Sequence, residues 1–405
     1  MDTASLPAKR RLALHDFDGH AIVNGLLACL FATTAPLAIL LASARQGGLD
    51  GSLVSSWIFA AYTIGGALTI PLALRYRQPL GTGWSIPAAA LVGPAFAQFA
   101  LSDIIGAYVV TALLILALGV TRTASRLMAV IPLPIMMGMT AGVFLPFGVN
   151  ILRGLVEIPI TAAAMSVAFL VTPRVPVLGS KVPPVLVALA AGLLALMFEA
   201  PIGQTQTVDH WLVRPLLLLP TFSWPALLAL VLPLTVTVVG IHNPQGFAVL
   251  RQTGHVPPVD VVTDACGIAS IPMALLGCGP ACLTGPANAI IVSSGETKRH
   301  YAAALVFGTA MVLFGLFAPI AVDLAAMLPT QFIAVLGGLA LLPVLRSTFV
   351  AAFASGGFTF GALVAFVTAT SGVTLLHIGG AFWALVFGTA ASLAFEHKDF
   401  ARTAR

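Results

Sequence analysis

Apolar residues follow the chain in long runs, and most polar residues collect in the short gaps between them. A run of about 20 apolar residues is long enough for a helix to cross a bilayer. Two further apolar segments, at about 79–98 and 278–295, are broken by Gly and Pro and predict discontinuous spans with short extended stretches. The pattern predicts an all-α polytopic membrane protein of about fourteen transmembrane segments. The uninterrupted runs predict ordinary spans at about 21–43, 52–74, 102–121, 127–149, 156–173, 182–199, 224–243, 257–277, 300–321, 324–344, 347–371 and 374–395.

The positions of Lys and Arg test this count, because cytoplasmic loops of membrane proteins carry an excess of them. With a cytoplasmic N-terminus and alternating spans, only Arg45, Arg153 and Arg214 of the 19 basic residues lie outside. A miscounted span would reverse this bias, so the sequence predicts cytoplasmic N- and C-termini in a bacterial-type inner (plasma) membrane. The predicted cytoplasmic residues are Lys9, Arg10, Arg11, Arg75, Arg77, Arg122, Arg126, Arg174, Lys181, Arg251, Lys298, Arg299, Arg346, Lys398, Arg402 and Arg405.

Composition agrees with this prediction, since 59% of the residues are hydrophobic, 8% are charged and the mean hydropathy is +1.02. So few charges cannot cover a soluble fold, and the lipid bilayer is the predicted partner of most of the surface. The net charge of +5 arises in the cytoplasmic loops, so we predict no binding of nucleic acid. The four Cys lie in apolar stretches and are interpreted as packing residues rather than metal ligands. The sequence contains no enzyme motif, and it predicts neither catalysis nor a cofactor.

Three short matches predict an internal repeat. Pro87-Ala88 matches Pro286-Ala287, Pro132 matches Pro329, and the stretch 37–40 matches 247–250, all at offsets near 200. A repeat of seven spans must enter the membrane from the opposite side in its second copy. The sequence therefore predicts a 7+7 inverted repeat, a common plan in secondary transporters. The predicted flanks are a cytoplasmic leader at 1–20, an outer loop at 200–223 and a cytoplasmic tail at 396–405.

The broken spans predict where a ligand binds. In each one an extended stretch precedes a half-helix, with Ser85 or Thr284 at the N-cap and Pro in the first turn. If the two stretches cross near the midplane, both half-helix N-termini point at one place. Such termini present free N–H groups and partial positive charge, which favours an anion. The alternative interpretation is that Gly and Pro only permit tight packing there.

Residues 243–251, Asn-Pro-Gln-Gly-Phe-Ala-Val-Leu-Arg, followed by Gly-His-Val-Pro-Pro at 254–258, resemble the stretch after the eighth span of the benzoate transporter family. The segment 85–90 and the chain length also resemble that family. At 242–245, His-Asn-Pro-Gln departs from the Gln-Asn-Leu-Pro expected there, which bears on the substrate more than on the fold.

The resemblance implies proton-coupled uptake of benzoate or a similar aromatic carboxylate, and the fold of the uracil and anion transporters. It also implies a core domain formed by 21–121 and 224–321 and a gate domain formed by 122–199 and 322–395. A homodimer is compatible with this fold.

Polar and aromatic residues at mid-span are the candidates for the binding site, because polar groups are costly there. Asn288 would either contact a carboxylate or brace a neighbouring helix. Trp84 would either stack on an aromatic ring or pack in the core, and Ser85 and Thr284 are caps first and contacts second. The remaining candidate contacts are Phe31, Thr33 and Thr34 in the first span, and Asn243 and Gln245 at the end of the eighth.

Two titratable residues are the candidates for proton coupling. His242 lies late in the eighth span, where it would either relay a proton or simply sit at the cytoplasmic interface. Asp264 is the deepest predicted acidic residue, and it would either carry a proton or pair with Arg251 or His242.

We predict a secondary active transporter whose substrates are a small organic anion and a proton. A nucleobase or inorganic-anion carrier is the alternative within this fold, although no Glu lies in spans 8 or 10, where nucleobase carriers usually bond the ring. A passive channel is the alternative from another class. It should line its path with polar or charged rings, and the sequence shows none.

Overall fold

The computed structural model describes residues 14–123, 132–175, 182–199, 210–293, 295–354, 356–373, 375 and 380–403. Most of the predicted leader and residues 200–209 of the predicted outer loop lie outside this part of the chain. The predicted cytoplasmic residues Lys9, Arg10, Arg11, Arg126, Lys181 and Arg405 also lie outside it.

The described part of the first half contains one short strand, β1 Thr82–Trp84, and a π-helical turn, Ala60–Ile64, that joins α3 to α4. Two 3-10 turns flank the helices, at Leu14–Asp16 and Thr172–Arg174. The helices are α1 Gly19–Ala32, α2 Ala35–Gln46, α3 Gly51–Phe59, α4 Gly65–Tyr76, α5 Ile86–Ala95, α6 Leu101–Val120, α7 Leu133–Glu157, α8 Pro159–Val171 and α9 Pro184–Glu199.

In the described part of the second half, strand β2 Ala281–Leu283 is the counterpart of β1, and a π-helical turn, Val236–His242, joins α10 to α11 in the first span of this half rather than the second. A 3-10 turn, Thr297–Arg299, precedes α14. The helices are α10 Trp224–Thr235, α11 Asn243–Gln252, α12 Val259–Leu275, α13 Gly285–Ile291, α14 His300–Leu316, α15 Ala318–Ala326, α16 Thr330–Phe353, α17 Thr359–Thr370, α18 Gly380–Phe395 and α19 His397–Thr403.

Membrane-spanning length is met by seven helical stretches in the described residues, the first of which is broken between α1 and α2. They are Gly19–Gln46, Gly51–Tyr76, Leu101–Val120, Leu133–Glu157, Trp224–Gln252, Thr297–Leu316 and Thr330–Phe353. The shorter helices α5, α9, α17 and α18 are also apolar. With α8, α12 and the short α13, the described residues follow the predicted order of apolar segments.

Three predicted span boundaries are wrong. The fifth span does not end near residue 149, because α7 stays helical to Glu157 and places Arg153 on an exposed helix surface rather than in a loop. The eighth span does not end near residue 243, because the helix continues to Gln252. Pro244 has no N–H for a helical hydrogen bond, and the π-helical turn just before it alters the hydrogen-bond pattern so that the helix tolerates this proline. Spans 12 and 13 do not divide between residues 344 and 347. Pro329 instead caps α16, which stays helical to Phe353 and places Arg346 on an exposed helix surface rather than in a loop.

Strands β1 and β2 cross at the centre of the molecule. They are antiparallel, with Thr82 opposite Leu283, Gly83 opposite Cys282, and Trp84 opposite Ala281. Two copies of one unit that meet on a two-fold axis in the membrane plane produce this antiparallel pairing.

Strand pairing and a matched pair of hydroxyls satisfy backbone groups that would otherwise be unpaired deep in the protein. Thr69 Oγ1 accepts a hydrogen bond from Thr82 N at 2.9 Å, and Ser270 Oγ accepts one from Ala281 N at 2.8 Å. The four residues are buried. Thr69 lies on α4, the helix that precedes β1, and Ser270 lies on α12, the helix that precedes β2. The two copies of the repeat therefore contribute equivalent hydroxyls to the strand crossing.

Candidate functional site

The two half-helices α5 and α13 begin side by side at the strand crossing, and both have Pro in the first turn. Ser85 Oγ accepts a hydrogen bond from Ala88 N at 3.4 Å, so it caps α5 as predicted. The predicted capping role of Thr284 is wrong, because its hydroxyl does not bond the first turn of α13. It donates instead to Gly81 O at 3.3 Å, the carbonyl that Thr284 N also bonds at 3.1 Å. The Thr284 hydroxyl therefore stabilises the strand crossing rather than the start of α13.

A cavity of about 30 Å³ lies between these half-helix starts. This space holds about one water molecule, so a larger ligand requires the walls to separate. The lining contains three aromatic rings and one Met, and its polar side chains are those of His242 and Thr284. No lining residue carries a formal charge when His242 is neutral. The lining residues are Phe31, Ala32, Pro36, Gly83, Trp84, Ile86, His242, Thr284, Pro286, Ala287, Phe307 and Met311.

A break in the first span forms one wall of the cavity. Helix α1 ends at Ala32, and α2 begins at Ala35 with Pro in its first turn. Phe31 lines the cavity, as predicted from its place in the span. The hydroxyls of Thr33 and Thr34 bond only carbonyls of the preceding turn of α1, at 2.9 to 3.2 Å. The structure therefore brings Phe31 to the cavity and uses both threonines for the local backbone.

His242 ends the π-helical turn of the eighth span and lines the cavity. Its side chain is buried, and it lies inside a continuous helix rather than at the cytoplasmic interface. Among the described residues its side chain makes one hydrogen bond, between Nδ1 and Cys282 Sγ at 3.3 Å. The extra residue of the π-helical turn places this side chain toward the crossing.

Asn243 and Gln245 lie just beyond His242 on α11. Asn243 is buried, and its Oδ1 accepts a hydrogen bond from Leu283 N at 2.8 Å. Its Nδ2 is buried without a partner among the described residues. The side chain of Gln245 is exposed and packs against Gly285, where a Cβ atom would lie 2.6 Å from Gln245 Cγ. Both residues therefore border the start of α13, but neither lines the cavity.

Asn288 joins the two broken spans. Its Oδ1 accepts a hydrogen bond from Gly81 N at 2.9 Å, and its Nδ2 donates to Gly81 O at 2.8 Å and Thr284 O at 2.6 Å. The residue is fully buried, and both of its N–H donors are in use. The geometry favours the bracing alternative over contact with a ligand.

Asp264 lies away from the cavity, where α12 packs on α6. Its Oδ1 faces Gly119, where a Cβ atom would lie 2.1 Å away, and this oxygen has no hydrogen-bond partner among the described residues. The predicted pairing with Arg251 or His242 is absent from the described part of the chain, where the neighbouring charges are Asp260 and Arg122. Asp264 lies deep within its predicted span, but it faces α6 rather than the cavity because α12 packs along α6.

Titratable groups outside the spans lie near the start of α14. Asp18 caps α1 and pairs with Arg299 at 2.9 Å, and the Ala21 N–H and Arg299 together lower the pKa of Asp18. His255 Nε2 lies 3.1 Å from His300 Nδ1 in a buried contact. Burial, with a further contribution from His300, lowers the pKa of His255 to about 4.

Sequence analysis missed several residues of the site. Phe307 and Met311 line the cavity from α14, four residues apart on one helix face. Tyr62 Oη donates to Ala32 O at 2.6 Å and so pairs a carbonyl at the end of α1. Cys282 was interpreted as a packing residue. These residue types are common in the core of any apolar chain, so their identity alone does not mark a site. The one available signal was the spacing of Phe307 and Met311, which lie four residues apart and so share a helix face.

Comparison with known proteins gives a family and a fold. The family model described as benzoate membrane transport protein matches residues 15–394. The chain is 30% identical to inner membrane protein YdcO of Escherichia coli over 372 residues, which covers 91% of this chain and 93% of YdcO. It is 29% identical over 381 residues to the benzoate membrane transport protein of Acinetobacter baylyi, with 92% and 94% covered. The transmembrane domain of the cyanobacterial bicarbonate transporter BicA aligns at a TM-score of 0.60 and 15% identity, covering 95% of this chain and 99% of that domain.

The crossed strands, the paired half-helices and this structural match define a membrane protein with a 7+7 inverted-repeat fold, and they confirm the predicted fold class. The chain belongs to the benzoate membrane transport protein family, which confirms the resemblance found in the sequence.

Proposed function

We propose that this transporter carries benzoate or a similar aromatic or organic carboxylate, together with a proton, across the bacterial inner membrane. The description of its family and the printed name of its Acinetobacter relative support benzoate as the first substrate to test. The observation that carries the proposal is the composition of the cavity lining, which combines three aromatic rings with the polar side chains of His242 and Thr284 and no formal charge.

The side chains that line the cavity suit both parts of an aromatic carboxylate. Phe31, Trp84 and Phe307 provide surfaces on which a ring packs. His242 and the starts of the half-helices provide hydrogen-bond donors for a carboxylate. An anion held by neutral donors is easier to release than one held by Arg or Lys, which suits a carrier.

The division into a core domain and a gate domain is part of the proposal. All the residues that line the cavity fall within 21–121 and 224–321. Movement of this core against the gate, formed by 122–199 and 322–395, would carry the closed cavity from one membrane face to the other. Because about 30 Å³ cannot hold a benzoate, the cavity must widen when the substrate enters.

His242 is the proposed site of proton coupling. It is the titratable side chain of the cavity lining, whereas Asp264 lies at a helix contact outside it. A proton on His242 would balance the charge of the carboxylate during transfer. We keep Asp264 as the second candidate, since its unpartnered oxygen lies within a predicted span.

Proton flux in liposomes tests the proposal. Purified protein is reconstituted with an internal pH dye, and benzoate is added outside under an imposed potassium-diffusion potential. The expected result is acidification that depends on both protein and benzoate and exceeds the leak in protein-free liposomes. Benzoate uptake without proton movement would remove the coupling. No response to benzoate, with a response to uracil or bicarbonate, would favour the alternative carriers. Flux proportional to concentration without saturation would favour a channel.

A pair of tryptophan variants tests the site. Trp84→Leu removes a ring from the cavity wall and should weaken benzoate binding about tenfold, the effect of losing one aromatic contact and part of its buried area. Trp211→Leu is the matched control, because Trp211 is 70% exposed and lies outside the cavity. Isothermal titration with benzoate measures both. Equal affinities for the two variants would contradict the proposed site.

A further inference from the structure

Cys282 lies behind His242 as seen from the cavity. Cys282 is the central residue of β2, is fully buried and faces Gly83 of β1 across the crossing. His242 lines the cavity, whereas Cys282 does not. The hydrogen bond between Cys282 Sγ and His242 Nδ1, 3.3 Å long, therefore engages the ring nitrogen on the side of the strand. The other nitrogen, Nε2, has no hydrogen-bond partner among the described residues.

We assign the direction of this hydrogen bond from the burial of Cys282. A thiolate at Cys282 would be a buried charge, and no basic side chain is among the contacts that the structure gives this residue. The sulfur therefore keeps its hydrogen, and Nδ1 of His242 is the acceptor within reach. A neutral imidazole carries one proton, so a ring whose Nδ1 accepts must carry that proton on Nε2.

We propose that Cys282 is a positioning residue: before the coupled proton binds, its thiol donates to Nδ1 of the neutral His242 and holds the imidazole with its N–H at Nε2, available to an anion in the cavity. The inference rests on the proposed function where it names the anion as a carboxylate. The opposite tautomer would present a lone pair to the carboxylate and repel it. Cys282 thus selects for an anionic substrate without touching it.

The first experiment reads the hydrogen bond directly and needs no substrate. Nitrogen-15 NMR of histidine-labelled protein in lipid distinguishes a protonated from an unprotonated ring nitrogen, and His242→Gln assigns the signals. We expect Nδ1 of His242 unprotonated and Nε2 protonated at neutral pH. The infrared S–H stretch of Cys282, assigned by its loss in Cys282→Ala, should lie below that of the other cysteines. A protonated Nδ1 would overturn the proposal.

The second experiment measures benzoate affinity in matched variants. Cys282→Ala should raise the Kd about threefold to tenfold, the effect of one lost hydrogen bond. Cys282→Ser retains a donor and should stay within about twofold of the wild type. Cys29→Ala is the control, because it removes a buried thiol that does not bond His242. An unchanged Kd in a folded Cys282→Ala protein would overturn the proposal.

The two experiments separate the inference from the proposed function. If the wild type does not bind benzoate, the proposed substrate fails and the NMR result alone decides the tautomer. If Cys282→Ala does not fold, the comparison of Cys282→Ser with the wild type, in affinity and in the His242 signals, replaces it. A Cys282→Ser protein that folds but binds benzoate as poorly as His242→Ala would count against the hydrogen bond as the cause.

Discussion

The two broken spans share a scaffold but differ in chemistry. β1 and β2 pair as equals, and the half-helices α5 and α13 begin at matching positions. The first copy brings a helix of ten residues, a true cap at Ser85 and the ring of Trp84. The second copy brings a helix of seven residues whose N-cap hydroxyl is used elsewhere.

Most of the polar side chains at the crossing come from the second copy. They are His242, Asn243, Cys282, Thr284 and Asn288. The residue opposite Cys282 in the first copy is Gly83, which has no side chain. Duplication therefore supplies the frame, because both copies must satisfy the same buried backbone. The binding chemistry is free to differ, because one polar set is enough for one central site.

The largest expected effect comes from removing the Asn288 side chain, which joins the two broken spans. Asn288→Ala removes three hydrogen bonds and leaves Gly81 N buried without a partner, which should cost about 4 kcal/mol of the free energy of unfolding. Denaturation in detergent measures this loss, with Asn150→Ala on α7 as the control. The sequence left Asn288 as either a ligand contact or a brace, and its three hydrogen bonds favour the brace. A stable variant with lost benzoate affinity would return Asn288 to the site.

The second effect tests how closely α4 packs against strand β1. A Cβ atom on Gly65 would lie 2.8 Å from Gly83 Cα, a backbone atom that cannot move aside easily. Gly65→Ala should therefore cost about 2 kcal/mol, a typical penalty for overpacking. Gly148→Ala is the control, since its Cβ would meet only Leu345 Cδ2, at 3.4 Å. Equal unfolding temperatures for the two variants would show that the crossing is looser than described.

The third effect compares the two N-caps. Ser85→Ala removes a hydrogen bond to Ala88 N and one to Thr237 Oγ1, and should cost about 1 kcal/mol. Thr284→Val removes one long bond to a carbonyl that has two other donors, so its cost should be about half as large. Both are measured in the same unfolding assay. A larger loss for Thr284→Val would contradict the asymmetry between the copies.

The smallest effect concerns pH and again belongs to the second half, which contains the His255–His300 contact. The folded pKa of His255 is about 4, below its usual 6.5, so the unfolded chain binds the proton more tightly. Its contribution to stability is complete above pH 6.5 and is lost as the pH falls from 6.5 toward 4. His255→Gln should flatten the unfolding temperature across that window. An identical pH profile in the wild type and the variant would argue against the shift.

Sequence patterns predicted the spans and the crossing well because both follow from local rules. Apolar runs of span length, Gly–Pro breaks before Ser85 and Thr284, and offsets near 200 between the halves are visible in one dimension. The boundaries at Pro244 and Arg346 were mispredicted because a π-helical turn and a continuing helix override local helix-breaking signals.

The chain by itself determined a fourteen-segment inverted repeat with two broken spans meeting at the centre, since hydrophobicity and backbone satisfaction in lipid leave few alternatives. The tertiary structure decided which polar groups serve the site. It brought His242 to the cavity with Cys282 behind it, used Asn288 as a brace, and left Asp264 between two helices. The reason is that a polar residue in an apolar run is equally conspicuous whether it braces or binds, and only the positions of its neighbours distinguish the two.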